Sequence, residues 1–299
     1  MEVLTLKKWA ILVLVVTFSL TGLFSATLTV GASNYTEQYI FGEIISALLE
    51  ENGFRVDKRF GLNTLVKRTG MLNGQIDVTA DYTGTAWTTY YHKEELIYDP
   101  TELYNQVKNM DKEQGLVWLD LTSINNSYAL AMTRERAESL GIDTISDLAE
   151  YVNNNPRELK IAIDYEFFEG AMNIFEMAEA YNMNISKNDV KTMQWGLTYE
   201  AVNQGDADIT MVFTTDSQLL KYDLKVLEDD KHFFPFYHVA VVMREDTLEK
   251  YPEIAEILRP FAMYLNQDIV IRLNYLVDVE GKEPEEVAKN YLKGLGLIE

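Results

Sequence analysis

The sequence alternates strand-like and helix-like segments, and this alternation limits the folds that the chain can adopt. Near the beginning, Leu28–Val30 and Arg55–Phe60 are typical of strands. Between them, Ile40 and Ile44 belong to a series of apolar residues spaced by four, which predicts a helix. The same order returns in mid-chain, where the strand-like Lys160–Ile163 precedes another helical segment. Strands that alternate with helices predict an α/β protein with parallel sheets.

Two segments of the chain, residues 73–85 and 204–216, resemble each other without a gap. They read NGQIDVTADYTGT and QGDADITMVFTTD. Ligands of open α/β sheets bind at the carboxyl ends of strands. We therefore expect Tyr82 and Phe213, which follow the two strands, to face one cleft. On these residues alone, an accidental match of ordinary strand–helix patterns explains the similarity equally well.

The charge and composition argue against several classes of function. A net charge of −21 repels nucleic acid and anionic lipid headgroups, so we expect no nucleic-acid partner. The chain has no cysteine and three histidines, whose spacing matches no metal site. The sequence therefore predicts no metal and no cofactor.

The first 26 residues predict a signal peptide or an N-terminal anchor. Lys7 and Lys8 precede an apolar run from Trp9 to about Leu20, and small residues follow at Ser25–Ala26. Either alternative places residues 27–299 outside the cytoplasm, secreted or anchored at the membrane.

The rest of the chain has no Pro/Ser-rich linker, which favours one lobe inserted into another. We expect residues 27–128 and 238–299 to form lobe I and residues 129–237 to form lobe II. The hinge is then expected near residues 127–131 and 234–240, where the chain changes lobe.

Six short segments occur in an order that is specific, although each alone is weak. They are Val30–Gln38, Asp81–Thr85, Asn125–Leu130, Phe213–Asp216, Asp229–Tyr237 and Leu273–Ala288. Through them the chain resembles, over residues 28–299, the substrate-binding proteins of ABC importers for osmoprotectants such as glycine betaine and choline.

The resemblance implies a two-lobed periplasmic-binding-protein fold of type II, with a hinge and a central cleft. It also implies an aromatic cage, formed by Tyr82, Tyr128, Phe213 and Tyr237. The faces of such rings attract a quaternary ammonium group through cation–π interactions. Further ligand-binding positions are expected at Thr85, Asn126, Ser33 and Asn34. The implied partners are a small cationic ligand, an ABC permease and its ATPase, with membrane contact only through the N-terminus or the permease.

The chain departs from the family at the positions that hold the carboxylate of glycine betaine. Ser33 stands where the family has a lysine, and Glu166–Ala171 lacks the arginine of the corresponding family motif. A buried carboxylate without a cationic partner is costly. We therefore expect choline rather than glycine betaine, although backbone N–H groups near Ser33–Tyr35 offer another way to hold a carboxylate.

Two other classes of function stay open. A sensory or receptor lobe for a different small amine has the same requirements for binding. An enzyme on the same fold is the weaker alternative, because no GxSxG motif or P-loop occurs. Asp77 and Asp208 are its only candidate carboxylate pair, and their position before apolar strand residues predicts structural turns instead.

Overall fold

The computed structural model describes residues 26–170 and 172–299, whose strands form two five-stranded sheets. The strands are β1 (Thr27–Ser33), β2 (Arg55–Leu62), β3 (Val78–Tyr82), β4 (Leu116–Asn125), β5 (Tyr128–Thr133), β6 (Ile161–Ile163), β7 (Val190–Thr192), β8 (Ile209–Phe213), β9 (Leu224–Val226) and β10 (His238–Arg244). The segment predicted as a signal peptide or anchor lies outside the described residues, except for Ala26.

Helices surround both sheets. They are α1 (Thr36–Glu51), α2 (Thr64–Leu72), α3 (Pro100–Lys112), α4 (Arg134–Leu140), α5 (Ile145–Asn154), α6 (Tyr165–Glu169), α7 (Ile174–Ala180), α8 (Leu197–Asn203), α9 (Gln218–Lys221), α10 (Glu245–Lys250), α11 (Ile254–Tyr264), α12 (Gln267–Asp278) and α13 (Pro284–Gly294). Shorter helical turns occupy Thr83–Thr85, Ala86–Tyr90 and Lys187–Asp189. None of the helices in the described ranges is long and apolar enough to cross a membrane.

The first sheet has the strand order β2-β1-β3-β10-β4 and forms the centre of the first lobe. Strand β1 runs parallel to β2 and β3, whereas β10 is antiparallel to β3 and β4. Helix α1 packs its fully buried Phe41, Ile44 and Ile45 into the same core as Val30 and Val241. This packing holds the start of α1 beside the carboxyl end of β3.

The second sheet has the order β7-β6-β8-β5-β9 and forms the centre of the second lobe. Strand β6 is parallel to β7 and β8, and β5 is antiparallel to β8 and β9. Both lobes therefore contain a parallel part that the sequence pattern predicts and antiparallel strands that it does not. The predicted two-lobed α/β architecture is confirmed by the solved structures compared with this chain below.

The chain crosses between the two sheets twice, and the two crossings contact each other. The first crossing, Asn126–Ser127, joins β4 to β5, and the second precedes β10. Ser127 Oγ donates to the carbonyl oxygen of Pro235 at 2.6 Å, and the Asn126 N–H donates to that of Tyr237 at 3.1 Å. The predicted residue boundaries of the lobes, and the hinge at these crossings, stay predictions.

The C-terminal helices differ from their predicted bounds. The sequence predicts helices over Pro252–Pro260 and Ala262–Arg272, but α11 continues through Pro260 to Tyr264. The break comes at Asn266, whose side chain accepts from the Ile269 N–H and caps α12. The capping residue thus decides the boundary, since it satisfies a free N–H at the helix start.

Asp77 and Asp208 precede strands of different sheets and have structural partners. Asp77 Oδ2 accepts from the Thr29 N–H at 2.7 Å, and Asp208 Oδ2 accepts from the Lys160 N–H at 2.9 Å. Each carboxylate therefore ties the start of its strand to a neighbouring strand, in agreement with the predicted structural turns.

Candidate ligand-binding site

A cavity of about 410 Å³ lies between the lobes and is lined by residues of both. Its lining consists of Tyr35, Thr36, Glu37, Tyr82, Thr85, Asn126, Tyr128, Phe213, Thr215, Asp216, Ser217, Tyr237, Asn274 and Asp278. All four residues of the predicted aromatic cage are among them, together with Thr85 and Asn126. Ser33 and Asn34 do not line this cavity.

The first lobe contributes Tyr82, which ends β3 and is 4% exposed. Its hydroxyl donates to Glu37 Oε1 at 2.5 Å. The ring is therefore fixed by the β3 backbone at one end and by this hydrogen bond at the other. Tyr35, just before α1, lies with its ring centroid 6.4 Å from that of Tyr82 at an interplanar angle of 34°. Tyr35 is therefore an additional ring on this side of the cavity, which the sequence did not assign.

Tyr237 reaches the cavity because Gly84 has no side chain. A Cβ atom on Gly84 would lie 2.5 Å from both Tyr237 Cδ1 and the carbonyl oxygen of Phe236. Both distances are far below van der Waals contact. The glycine in the segment Asp81–Thr85 is therefore needed for the close approach of the β10 crossing.

The second lobe contributes Tyr128 and Phe213, which are cross-strand partners in β5 and β8. Their ring centroids are 4.8 Å apart with an interplanar angle of 47°. Trp195 extends this group outwards, since its ring lies 5.2 Å from Phe213 and is 41% exposed. Burial raises the pKa of the Tyr128 hydroxyl to about 12, with Tyr237 as a further cause. The Tyr128 hydroxyl therefore stays neutral at ordinary pH.

Glu37 is the most deeply buried acidic group of the cavity, with 3% of its surface exposed. Besides Tyr82, its carboxylate accepts from Asn126 Nδ2 at 3.1 Å and from Asn274 Nδ2 at 3.4 Å. Burial raises the pKa of Glu37, and the hydrogen bonds from Tyr82, Thr215, Asn126 and Asn274 oppose this rise. Within the described ranges, no lysine or arginine lines the cavity with it.

Asp216 lies on the second-lobe side, after β8. Its Oδ2 accepts from the Phe213 N–H at 2.7 Å and from the Tyr199 hydroxyl. Burial raises the pKa of Asp216 to about 7, and the charges of Glu37 and Asp278 add to the rise. A titratable carboxyl therefore lines the cavity near neutral pH.

Helix α12 joins the two lobes at the edge of the cavity. Asp278 accepts from Thr36 Oγ1 of the first lobe at 2.6 Å and from Ser217 Oγ of the second at 2.9 Å. One turn earlier, Asn274 Nδ2 donates to the carbonyl oxygen of Thr215 at 2.9 Å. The C-terminal helix thereby supplies polar groups to a cavity built mainly by earlier parts of the chain.

Ser33 and Asn34 lie beside the cavity and have other neighbours. Ser33 is buried and its Oγ has no hydrogen-bond partner among the described residues, while Asn34 Oδ1 accepts from the Tyr39 hydroxyl. The backbone N–H groups of Ser33, Asn34 and Tyr35 all donate within the protein, to Gln38 Oε1, Leu62 O and Ser33 O. These three amides are thus already used and do not face a ligand.

The sequence contained the missed residues within its own motifs. Tyr35 and Glu37 belong to the segment Val30–Gln38, and Asp216 ends the segment Phe213–Asp216. Within these two segments, the sequence assigns only Ser33, Asn34 and Phe213 to the ligand. The acidic character of the remaining positions was the signal that could have identified the polar side of the cavity.

Residues 26–294 match the family described as the substrate binding domain of ABC-type glycine betaine transport systems. The chain belongs to this family. It is therefore a substrate-binding component of the ABC-type glycine betaine and osmoprotectant transporters, as its resemblance implied.

Individual relatives agree with this membership. A glycine-betaine-binding protein of Pseudomonas aeruginosa (strain PAO1) is 36% identical over 289 residues, which cover 93% of each chain. The ergothioneine transport permease/ergothioneine binding protein EgtU of Helicobacter pylori (strain G27) is 34% identical over 272 residues, or 90% of this chain and 48% of that protein. These names describe binding and transport proteins rather than enzymes.

A solved structure agrees as well. The crystal structure of a glycine betaine/carnitine/choline ABC transporter protein has a TM-score of 0.85 and 26% identity, covering 92% of this chain and all of that chain. The named ligands of these relatives differ from one another. Family membership alone therefore does not fix the ligand of this chain.

Proposed function

We propose that this chain captures a quaternary ammonium compound without a carboxylate, with choline favoured over glycine betaine. The observation that supports this most directly is a cavity that combines aromatic rings from both lobes with three acidic residues. Tyr82, Tyr128, Phe213 and Tyr237 surround the cation, and Glu37 and its acidic neighbours supply negative charge.

The rings are sufficient for useful affinity. Each ring contributes about 0.5–2 kcal/mol by cation–π attraction, and more in a dry site. Four rings at the upper end of this range supply about −8 kcal/mol, which corresponds to a Kd near 1 μM. A trimethylammonium group has no N–H to donate, so it loses no hydrogen bond when it leaves water for this site.

The polar groups of the cavity disfavour a ligand carboxylate. No lysine or arginine lines the cavity in the described part of the chain, and the three backbone amides near Ser33 are already bonded. A carboxylate there would lie among Glu37, Asp216 and Asp278 without a cationic partner, which costs free energy. Thr85 remains as a neutral polar contact.

Calorimetric titration with choline and glycine betaine, side by side, tests the ligand. We expect choline to bind with the lower Kd. Tighter binding of glycine betaine contradicts the proposal and directs attention to the amides of Thr36 and Glu37 at the start of α1.

Truncation of single rings tests the cage. Tyr128→Ala or Tyr237→Ala is expected to weaken choline binding at least tenfold without unfolding the protein, because each removes a whole ring face. Tyr98→Ala is the matched control, since Tyr98 is 58% exposed and does not line the cavity. Unchanged affinity in both cage variants would refute the assigned cage.

In the proposed cycle, the ligand enters an open cleft, the lobes close by hinge motion, and the loaded protein docks on an ABC permease driven by its ATPase. The chain then acts outside the cytoplasm and carries out no chemical reaction. Recovery of intact ligand after prolonged incubation is expected, and its consumption would favour an enzyme. Cells that lack the chain separate transport from a sensory role. Loss of ligand uptake favours transport, whereas loss of a response to the ligand with normal uptake favours a sensory role.

A further inference from the structure

The polar side of the cavity has more hydrogen-bond acceptors than donors. Asn126 and Asn274 both direct Nδ2 towards Glu37, because a carboxylate accepts and does not donate. This fixes the orientation of the two amides and directs each Oδ1 elsewhere. Neither Oδ1 atom has a hydrogen-bond partner among the described residues, although Asn274 is only 5% exposed.

Glu37 itself is unevenly satisfied. Its Oε1 accepts from the Tyr82 hydroxyl at 2.5 Å and from Asn126 at 3.1 Å. Its Oε2 accepts from Asn274 at the longer distance of 3.4 Å, and Thr215 is a further hydrogen-bonding neighbour of the carboxylate. A carboxylate oxygen accepts more than one hydrogen bond, so Oε2 retains capacity for a stronger donor.

The charges around Glu37 have the same sign. Asp216 and Asp278 line the cavity with it, and the described lining contains no cationic side chain. The position of Glu37 in the first turn of α1 stabilises its negative charge through the helix dipole. Within the described lining no side chain offers a positive charge to balance this group, so a cationic ligand suits the cavity.

We propose that Glu37 determines specificity by accepting a hydrogen bond from the polar end of the ligand. The ligand class is a quaternary ammonium cation that carries an O–H or N–H donor a short distance from its nitrogen. The cation lies among the rings, while the donor reaches Glu37 Oε2 and the neighbouring amide oxygens. This inference rests on the proposed function, because it assumes that the cavity holds a quaternary ammonium group.

The test is a cycle between the ligand hydroxyl and the Glu37 carboxylate. Choline and n-propyltrimethylammonium have nearly the same shape, but only choline has a hydroxyl donor. Both are titrated into the wild type, Glu37→Gln and the control Glu43→Gln. Glu43 lies on the same helix, but it pairs with Lys58 and does not line the cavity.

The wild type and Glu43→Gln are expected to prefer choline by about tenfold, as for a hydrogen bond to a charged acceptor. In Glu37→Gln this preference is expected to fall to about threefold or less. A preference that persists unchanged in Glu37→Gln overturns the inference.

A ligand series on the wild type alone keeps the test valid if Glu37→Gln does not fold. O-methylcholine replaces the donor by an ether acceptor, and it is expected to bind at least tenfold more weakly than choline. Equal binding of choline and O-methylcholine contradicts the role of Glu37 but leaves the aromatic cage intact. A wild type that binds none of the three compounds contradicts the proposed function itself.

Discussion

The two similar segments, residues 73–85 and 204–216, build the same scaffold and different halves of the cavity. Their first parts have the same structure, since Asp77 and Asp208 each accept from the backbone of a neighbouring strand at 2.7 and 2.9 Å. Both segments then continue into a buried strand of five residues, β3 and β8. The shared residues are therefore those that connect strands within a sheet.

The last parts of the two segments differ in structure and in chemistry. Tyr82 is fixed by its hydroxyl bond to Glu37, whereas Phe213 has no hydroxyl and is placed by packing against Tyr128 and Trp195. The next differences, Gly84 against Thr215 and Thr85 against Asp216, also concern residues near the cavity. The first lobe thus presents a rigid, hydrogen-bonded ring, and the second lobe presents a more accessible aromatic group with a titratable acid.

The largest expected effect is a difference in the free energy of unfolding between variants that lack the Tyr82 ring and variants that lack the Phe213 ring. Tyr82→Ala is expected to lower the free energy of unfolding by about 3–5 kcal/mol, because it empties a buried site and removes a donor from Glu37. Phe213→Ala is expected to cost about 2 kcal/mol, since this ring is half-buried. Urea denaturation followed by circular dichroism measures both. Equal losses would remove the distinction between a fixed ring and a packed one.

The second prediction uses the glycine that occurs in only one of the two segments. Gly84→Ala is expected to weaken ligand binding at least tenfold, because its Cβ displaces Tyr237 and the backbone at Phe236. Gly294→Ala is the control, since nothing lies near a Cβ at that helical position. Calorimetry gives the ligand affinity of both variants. An unchanged affinity of Gly84→Ala would show that the position of the Tyr237 ring does not depend on its close approach to Gly84.

The sequence predicted the elements whose determinants are local. The strands that end at Tyr82 and Phe213 are recognisable from a few neighbouring positions. In each case a glycine closes the preceding helix, and apolar residues typical of a strand follow it. The contribution of α12 was not predictable in this way. Asn274 and Asp278 enter the cavity only because α12 packs across both lobes, and no local pattern reports contacts between residues more than 200 positions apart.

The antiparallel partners of the sheets were missed for a related reason. Strand β10 pairs with β3 and β4 although more than a hundred residues separate them in sequence, and alternation of strands and helices predicts only the parallel pairs. Likewise, Glu37 looked like an ordinary first-turn acid of a helix. Its role depends on the amides of Asn126 and Asn274, which come from distant segments.

The third prediction compares Tyr82→Phe, which removes a ring hydroxyl from the first lobe, with Phe213→Tyr, which adds one to the second. Tyr82→Phe is expected to destabilise the protein by about 1 kcal/mol, because the buried Glu37 loses its shortest donor. Phe213→Tyr is expected to change stability by less than about 0.5 kcal/mol, since this ring is only half-buried. Thermal unfolding of the two variants compares them directly. A larger loss in Phe213→Tyr would contradict the asymmetry.

The last prediction concerns Asp216, which stands where the first segment has Thr85. Burial raises the pKa of Asp216 from its ordinary 3.8 to about 7, so the folded protein without ligand holds more protons than the unfolded chain between these values. Its unfolding free energy is therefore expected to fall as pH rises through this window, and Asp216→Asn is expected to flatten that dependence.

A bound cation favours the ionised carboxylate and lowers the pKa of Asp216, so binding near pH 7 is expected to release a fraction of a proton. Titrations in buffers of different ionisation enthalpy measure this release, and Asp216→Asn is expected to abolish most of it. Release that persists in Asp216→Asn would assign the proton to Glu37, whose pKa is also raised by burial. The acid of the first lobe, rather than that of the second, would then respond to the ligand, and the asymmetry between the two segments would lie in their rings alone.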